Sequence, residues 1–428
     1  MTSKIQNIKM SLWDIADYVN GRPTKPSELL KHGLPVIKIA ELNRGISNQT
    51  NLISKAIVQP KHLIQEGDLL FAWSGTIGIH IYEGPEAALN QHIFKVTARE
   101  MIDQNFLRYL LEYELFNLQR FVEEKKTTMG HVTIANLKTV EVEFPRDVDM
   151  QKKIACYLGS IDSMLSINTS KSKTLEDIAQ TIFKSWFIDF DPVKAKMNGE
   201  KPIGMDDETA ALFPDSFEES ELGLIPKGWE VGTIKDICQQ VVNGSTPLRT
   251  KGEFWADGEI DWYKTGELSD NFLFESKERI SIAALEKTSV KILPKGSVLM
   301  AIYAAPTVGR LGILTKESTF NQASTGMVVI ETFGTPYLYL TLFNKRDWFN
   351  SLAIGAAQQN ISKVIVESCP TLIANEEVHA SFLKLTKSVF QGIETLGSQT
   401  NTLKVIRDSL LPRLISGELQ IPEEMLAS

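Results

Sequence analysis

Paired amides stand at corresponding places in the two halves of this chain: Asn90-Gln91, followed by His92, and Asn321-Gln322. An amide side chain presents a donor beside an acceptor, which matches the edge of an adenine, while Arg and Lys match guanine. Phosphates are held by Lys, Arg, Ser and Thr. Polar residues of these types gather in loops at recurring positions. In the first half they are Lys38, Arg44, Ser74, Thr76, Asn90, Gln91, His92, Thr128 and His131. In the second they are Thr246, Lys264, Thr265, Tyr303, Thr307, Arg310, Asn321, Gln322, Gln358, Gln359 and Asn360. The chemistry they suit is hydrogen-bond readout of a nucleic acid. Residues shared by both halves, such as the Asn-Gln pair, equally suit holding a turn. Residues that differ, such as His131 against Gln358, suit discrimination between sequences.

Bond-making chemistry has no comparable signature. There is no Asn-Pro-Pro-aromatic sequence of the amino-methyltransferase type, no glycine-rich cofactor loop after a first strand, and no glycine-rich run ending in Gly-Lys-Ser/Thr. Neither a methyl donor nor ATP therefore has a motif to bind. Pro214-Asp215 and Glu275-Ser276-Lys277 match a nuclease pattern only by residue type, and Glu123-Glu124-Lys125-Lys126 reads as a solvated charge run. No histidines stand at metal-ligand spacing, and Cys156, Cys238 and Cys369 are too dispersed for a zinc site or a disulfide framework. No catalytic or metal residue is assigned. The amino-terminal Met-Thr-Ser-Lys-Ile-Gln-Asn lacks a signal-peptide pattern, and no run of about 18 apolar residues occurs. The expectation is a cytoplasmic chain. Its formal charge of −8 counts against nucleic-acid binding, although a local basic groove can coexist with an acidic remainder.

What must position the polar residues is a long internal repeat. Asp14-Ile15 pairs with Asp236-Ile237 at an offset of 222, and Val19-Asn20-Gly21 with Val242-Asn243-Gly244 at 223. Lys38 and Glu41-Leu42 pair with Lys264 and Glu267-Leu268 at 226, Gly67 with Gly296 at 229, Asn90-Gln91 with Asn321-Gln322 at 231, and Ile134 with Ile361 at 227. The drift fits insertions in loops. Residues 11–146 and 229–370 read as mixed α/β, with short strands such as Leu69-Leu70-Phe71 and Val298-Leu299-Met300 and a helix over Phe106–Val122.

Each half ends in a helical seam. Ile154, Leu158, Ile161, Leu165, Leu175, Ala179, Ile182 and Trp186 form one; Val378, Phe382, Leu385, Val389, Leu396, Leu403, Ile406 and Leu410 form the other, 224 residues later. Asn168 and Ser172 interrupt the first, and Gly392 and Gln399 the second. A seam this narrow suits one long partner helix, and polar breaks can set register. The plainer alternative is that each helix caps its own domain. A helix of about 35 residues spans roughly 50 Å, comparable with one to one and a half turns of B-DNA at about 34–36 Å per turn. Asp191-Pro192 closes the first helix. The acidic stretch around Asp206, Asp207, Glu218, Glu219 and Glu221 reads as an exposed linker.

Three segments then carry a resemblance. Thr181-Ile182-Phe183-Lys184-Ser185-Trp186-Phe187-Ile188-Asp189-Phe190-Asp191-Pro192 resembles the central region of the specificity subunits of type I restriction–modification enzymes. Leu222-Gly223-Leu224-Ile225-Pro226-Lys227-Gly228-Trp229-Glu230 is similar to the approach to their second target-recognition domain, and Leu410-Leu411-Pro412-Arg413-Leu414-Ile415-Ser416-Gly417-Glu418-Leu419 to the close of their last helix. The first repeat begins at Lys9-Met10-Ser11-Leu12-Trp13 without the Gly-x-Ile-Pro-x-Gly-Trp that precedes the second. With the repeat, the resemblance covers almost the whole chain. It implies an α/β (α+β) fold: target-recognition domains at 1–146 and 229–372, a central helix at 147–190, a linker at 191–228 and a closing helix at 373–420. It implies an antiparallel coiled coil with pseudo-twofold symmetry. It also implies double-stranded DNA as ligand, read as two half-sites across a fixed spacer. Two methyltransferase subunits would bring S-adenosylmethionine, and two motor–nuclease subunits ATP and Mg. The competing expectations are a single-chain methyltransferase–nuclease and a two-lobed scaffold that binds no nucleic acid.

Overall fold

The protein is described by a computed structural model covering residues 6–124, 131–303, 308–352 and 360–421. Packing groups the residues up to 164 with those from 403 onward in one unit, and residues 165–402 in a second. The longer helices are α1 (Gln104–Glu124), α2 (Val148–Phe187), α3 (Gly334–Asn344) and α4 (Glu376–Ile415). α2 and α4 have 40 residues each, about 60 Å at the α-helical rise and longer than their apolar seams suggest. Among the described residues no helix is long and apolar enough to cross a membrane.

The first unit contains strands β1 (Ala16–Asn20), β2 (Leu34–Ile37), β3 (Leu69–Ala72), β4 (Gly78–Ile81), β5 (Ala87–Leu89) and β6 (Ile93–Ala98). One antiparallel sheet runs β1-β6-β3-β4, while β2 pairs parallel to β5 in another. The second unit repeats this plan with β7 (Cys238–Asn243), β8 (Ile260–Tyr263), β9 (Asn271–Leu273), β10 (Val298–Ala301), β11 (Leu311–Leu314), β12 (Thr319–Phe320) and β13 (Ser324–Val329). Its main sheet runs β7-β13-β10-β11-β9, with β8 parallel to β12. Among the described residues the added edge strand β9 has no counterpart in the first unit's main sheet.

Strands β3 and β10 are apolar at every position because both their faces are covered. Leu69 and Phe71 face the cluster that holds Phe106, Leu107 and Leu110 of α1, whereas Leu70 and Ala72 face Ile37 and Leu89. Val298 and Met300 face the core around Leu338 of α3, whereas Leu299 and Ala301 face Tyr263 and Phe320. This is the two-residue alternation of a strand, hidden in the sequence because neither face meets water.

α2 and α4 pack together. In the first unit Ile154 and Leu158 share a core with Leu414 and Ile415. In the second, Leu175 lies beside Gly392, and Phe183, Trp186 and Phe187 meet Phe382 at ring separations of 6.0, 5.8 and 5.0 Å. Later residues of α2 therefore meet earlier residues of α4, so the segments run antiparallel. The buried stripe of α4 runs through Val378, His379, Phe382, Thr386, Phe390 and Ile393. Leu385 and Ile406, expected in the seam, are 45% and 40% exposed. Six buried positions of α2 (Gln151, Ile154, Leu158, Leu165, Trp186, Phe187) fall on buried positions of α4 at an offset of 228, more than at 224. A four-residue slip overshoots one helical turn by only about 40°, so the apolar pattern alone tolerates it. Leu175, Ile182, Val389, Leu396 and Leu403 are half-buried.

The stretch 191–228, expected as an exposed linker, is folded. Pro192 opens a short helix, Asp191–Met197, where its missing N–H is not needed. A second helix, Asp207–Ala211, and a hairpin of Phe217–Ser220 with Gly223–Pro226 follow. Val193, Phe213 and Ile225 join the second unit's core, with Phe213 edge-on to Trp186 at 5.0 Å. The acidic residues Asp206, Asp207, Glu218, Glu219 and Glu221 stay exposed.

Candidate nucleic-acid interface

Both units bring the same loops together through the same backbone contacts. At the end of β1, Gly21 donates to the Ile93 carbonyl (3.1 Å), and at the end of β7 Gly244 donates to that of Ser324 (3.0 Å). A Cβ on either glycine would fall 2.2 Å from the carbonyl oxygen of Asn90 or Asn321, so only glycine permits this approach. Asn90 donates its N–H to the carbonyl of Ile37 at the end of β2 (3.1 Å), as Asn321 does to that of Tyr263 at the end of β8 (2.9 Å). Trp73 and Ile302 occupy one further position: their carbonyls accept from Val132 and Ile361, each at 2.9 Å. Thr133 and Ser362, next in line, both cap short helices by accepting from Asn136 and Ile365 N–H groups (3.2 and 3.3 Å). The structural offset here is 229, not 227, so the counterpart of His131 is Asn360 and not Gln358.

In the first unit Trp73 is central. Its ring lies 5.6 Å from His92 and 5.9 Å from His131, and its Nε1 donates to Asn20 Oδ1 (3.1 Å). The Asn20 carbonyl in turn contacts Nδ1 of His62 at 3.0 Å. Burial lowers the pKa of His62, outweighing this contact, which raises it. Ser74 is buried and bridges to His131. Asn90 is also buried and donates to Gln91 Oε1 (2.8 Å), so it holds its turn together; Gln91 and His92 are half-buried beside it. Thr76 is exposed, in the turn after Ser74. Lys38 N–H donates to Glu41 Oε2 (3.1 Å), and Lys264 N–H to Glu267 Oε1 (2.9 Å), so the Lys-x-x-Glu anchor is a helix-capping device. Arg44 ends that short helix and is exposed. Thr128 lies outside the described residues.

The second unit furnishes the same frame differently. Thr246 donates to Gln322 Oε1, Ser324 to Asn321 Oδ1 (3.2 Å) and Thr325 to Asn243 Oδ1 (2.8 Å). Lys264 and Arg249 both bind Glu278, and the Arg249 guanidinium sits 3.7 Å from the Trp255 ring centroid and 4.9 Å from that of Trp262. Behind them Asp261 is buried between Arg279 (3.0 Å) and Lys316 (2.7 Å). Burial raises its carboxyl pKa, but Lys316, Ser276 and Arg279 outweigh that and hold it below the usual range. Tyr303 and Asn360 are exposed, while Thr265 and Arg310 are half-buried, Arg310 just before β11 with its carbonyl accepting from Ala301 N–H (2.9 Å). Thr307, Gln358 and Gln359 lie outside the described residues. Asn20 and Asn243 were visible as repeat anchors but not as site residues. Trp73, Arg249 and Trp255 have no like counterpart in the other half, so self-similarity could not reveal them.

The arrangement offers stacking surfaces, amides, hydroxyls and cations, the groups that bind nucleic acid. Ser276 and Lys277 serve local structure, the hydroxyl on Asp261 and the Lys277 N–H on Glu267. Among the described residues no three His, Cys, Asp or Glu are placed to hold a metal ion.

A family model described as the type I restriction modification DNA specificity domain matches residues 6–177 and 226–384. The chain is 26% identical over 339 residues to the type I restriction enzyme HindI specificity subunit of Haemophilus influenzae, covering 69% of this chain and 73% of that one. It is 23% identical over 400 residues to the MjaIX specificity subunit of Methanocaldococcus jannaschii, covering 89% and 84%. The solved S subunit of a type I restriction–modification system from M. genitalium superposes with a TM-score of 0.59 over 97% of both chains at 13% identity, a likeness of fold.

Proposed function

The chain belongs to the type I restriction–modification DNA specificity family, and from that premise we propose that it reads a bipartite double-stranded site, one half with each unit. The observation that supports this reading is the loop frame held by identical backbone contacts in both units but furnished with different side chains, such as Trp73 and His131 against Ile302 and Asn360. A constant frame with variable furnishing suits two readers of different sequences. In this reading α2 and α4 form an antiparallel coiled coil that spaces the readers and thereby sets the unspecified gap between half-sites. Two methyltransferase subunits and two restriction subunits dock on the chain in the cytoplasm and bring S-adenosylmethionine, ATP and Mg. Its own contribution is recognition, not catalysis.

The deciding experiment is single-molecule methylome sequencing of cells that express this chain with its neighbouring methyltransferase, against cells lacking only this chain. The expected result is a methylated adenine motif in two parts with a fixed gap, which vanishes without the chain. An unchanged methylome, with both proteins expressed and associated, would overturn the proposal.

A further inference from the structure

Trp255 and Trp262 form a right-angled corner, with ring centroids 5.1 Å apart and planes at 87°. Both indoles are pinned, Trp262 Nε1 to the Ser245 carbonyl (3.0 Å) and Trp255 Nε1 to that of Leu248 (3.3 Å). The corner holds the guanidinium of Arg249, a planar fork that stacks well on aromatic faces. Glu278 lies directly across the ladder from Trp262. One of its carboxylate oxygens accepts from Arg249 and the other from Lys264, and these cations pull its pKa below the ordinary range, Arg249 the more. The arginine and lysine side chains are 50% and 40% exposed and the glutamate 28%. Ion pairs this open to water are weak, so a ligand can displace them. The pocket adjoins the loop ring, since Lys264 follows β8 and Arg249 lies in the loop after Asn243-Gly244 that also holds Thr246 on Gln322.

Taking the second unit as a DNA reader, as proposed above, we propose that Arg249 and Lys264 form a pocket for a pair of acceptors on DNA, closed in the free protein by the Glu278 carboxylate. The carboxylate's two oxygens stand in for the DNA acceptors, either the O6 and N7 of a guanine or two phosphate oxygens. Binding exchanges one acceptor pair for the other, and Glu278 moves into water. In the first unit the arginine after Asn20-Gly21, Arg22, is held by Glu28 of its own loop (2.6 Å) and lacks the indole corner. The pocket therefore acts on one half of the site.

The test is selection of the full-length protein against a pool of labelled duplexes with randomised bases, with anisotropy titrations of the selected duplex at several salt concentrations. Wild type is compared with R249A, R249K and E278Q. E278Q is expected to bind several-fold tighter, because the competing charge is gone and the shape kept. R249A is expected to bind about 5- to 150-fold more weakly. Loss of a guanine preference at one position of one half-site, with R249K failing to restore it, assigns the acceptors to a base. Uniform weakening, with the salt slope reduced by about one and R249K restoring binding, assigns them to phosphate. Wild-type affinity and motif in all three variants, or weaker binding by E278Q, would overturn the pocket while leaving the DNA-reading function intact. A wild-type protein that selects no motif and binds without salt dependence would overturn both.

Discussion

Gln151 and His379 occupy one position of the repeat, in the first turn of α2 and of α4, and both are buried. Gln151 uses both ends of its amide: Oε1 accepts from Asp103 N–H (2.8 Å), and Nε2 donates to the carbonyls of Pro145 (2.9 Å) and Met101 (3.1 Å). His379 accepts from Ala374 N–H at Nε2 (3.1 Å) and is boxed by Phe187, Phe333 and Tyr337. Burial in this aromatic box drives its pKa down to about 4. The unfolded chain titrates near 6.5, so between these values it binds a proton that the folded protein refuses. The stabilisation is complete above pH 6.5 and is lost as pH falls toward 4, by about 3 kcal/mol in all. His379→Gln, which installs the residue of the other half, is expected to flatten this pH dependence. Urea-unfolding midpoints measured from pH 7 to 4 check it; parallel curves for the two proteins would refute it. The histidine was legible in the sequence as a residue, but its aromatic box was not, because α2 and the start of α3 supply the rings that enclose it.

At the scale of elements, Asp162 of α2 is where the first unit's domain and helices meet. Its carboxylate accepts from Arg108 (2.8 Å) and Tyr109 (2.7 Å) of α1 and from Arg407 (3.2 Å) of α4. The Asp162 side chain is only 17% exposed. Asp162→Ala would leave two half-buried guanidinium groups without their shared anion, at an expected cost of about 1–3 kcal/mol. Thermal or urea unfolding reads this directly; a change below about 0.5 kcal/mol, the scale of an ordinary surface substitution, would show that the network contributes little. The helices were legible from their apolar seams, as was a helix near Phe106–Val122, observed as α1. Their register was not, because one turn of slip keeps the apolar residues on nearly the same face. Residues such as Thr386, fully buried with its hydroxyl on the Phe382 carbonyl (2.8 Å), reveal the register only in contact.

For the whole molecule, the proposed spacer role ties helix length to DNA. Inserting seven residues into both α2 and α4 adds about 10 Å of helix, close to three base pairs at about 3.4 Å each. The expected outcome is a methylated motif with unchanged half-sites and a gap wider by about three base pairs. A gap of unchanged width, in a variant that still methylates, would dissociate helix length from spacing. The net charge of −8 is compatible with this role. Part of the acidity sits on the folded segment 191–228, where Glu218, Glu219 and Glu221 are exposed, while Arg249 and Lys264 lie in the loop ring.

The sequence by itself determined what depends on local chemistry. Apolar spacing marks long helices, and the recurrence of anchors such as Asn20-Gly21 and Asn243-Gly244 marks two copies of one plan. Tertiary structure decided what depends on distant partners. Val193, Phe213 and Ile225 make a folded element of an acidic stretch because a core lies within reach. Asn360, not Gln358, stands opposite His131 because hydrogen bonds to Trp73 and Ile302 set the alignment. Arg249 becomes a candidate reader only when Trp255, Trp262 and Glu278 converge on it. A repeat exposes what two halves share, whereas specificity rests on what they do not, and those residues acquire their surroundings only on folding.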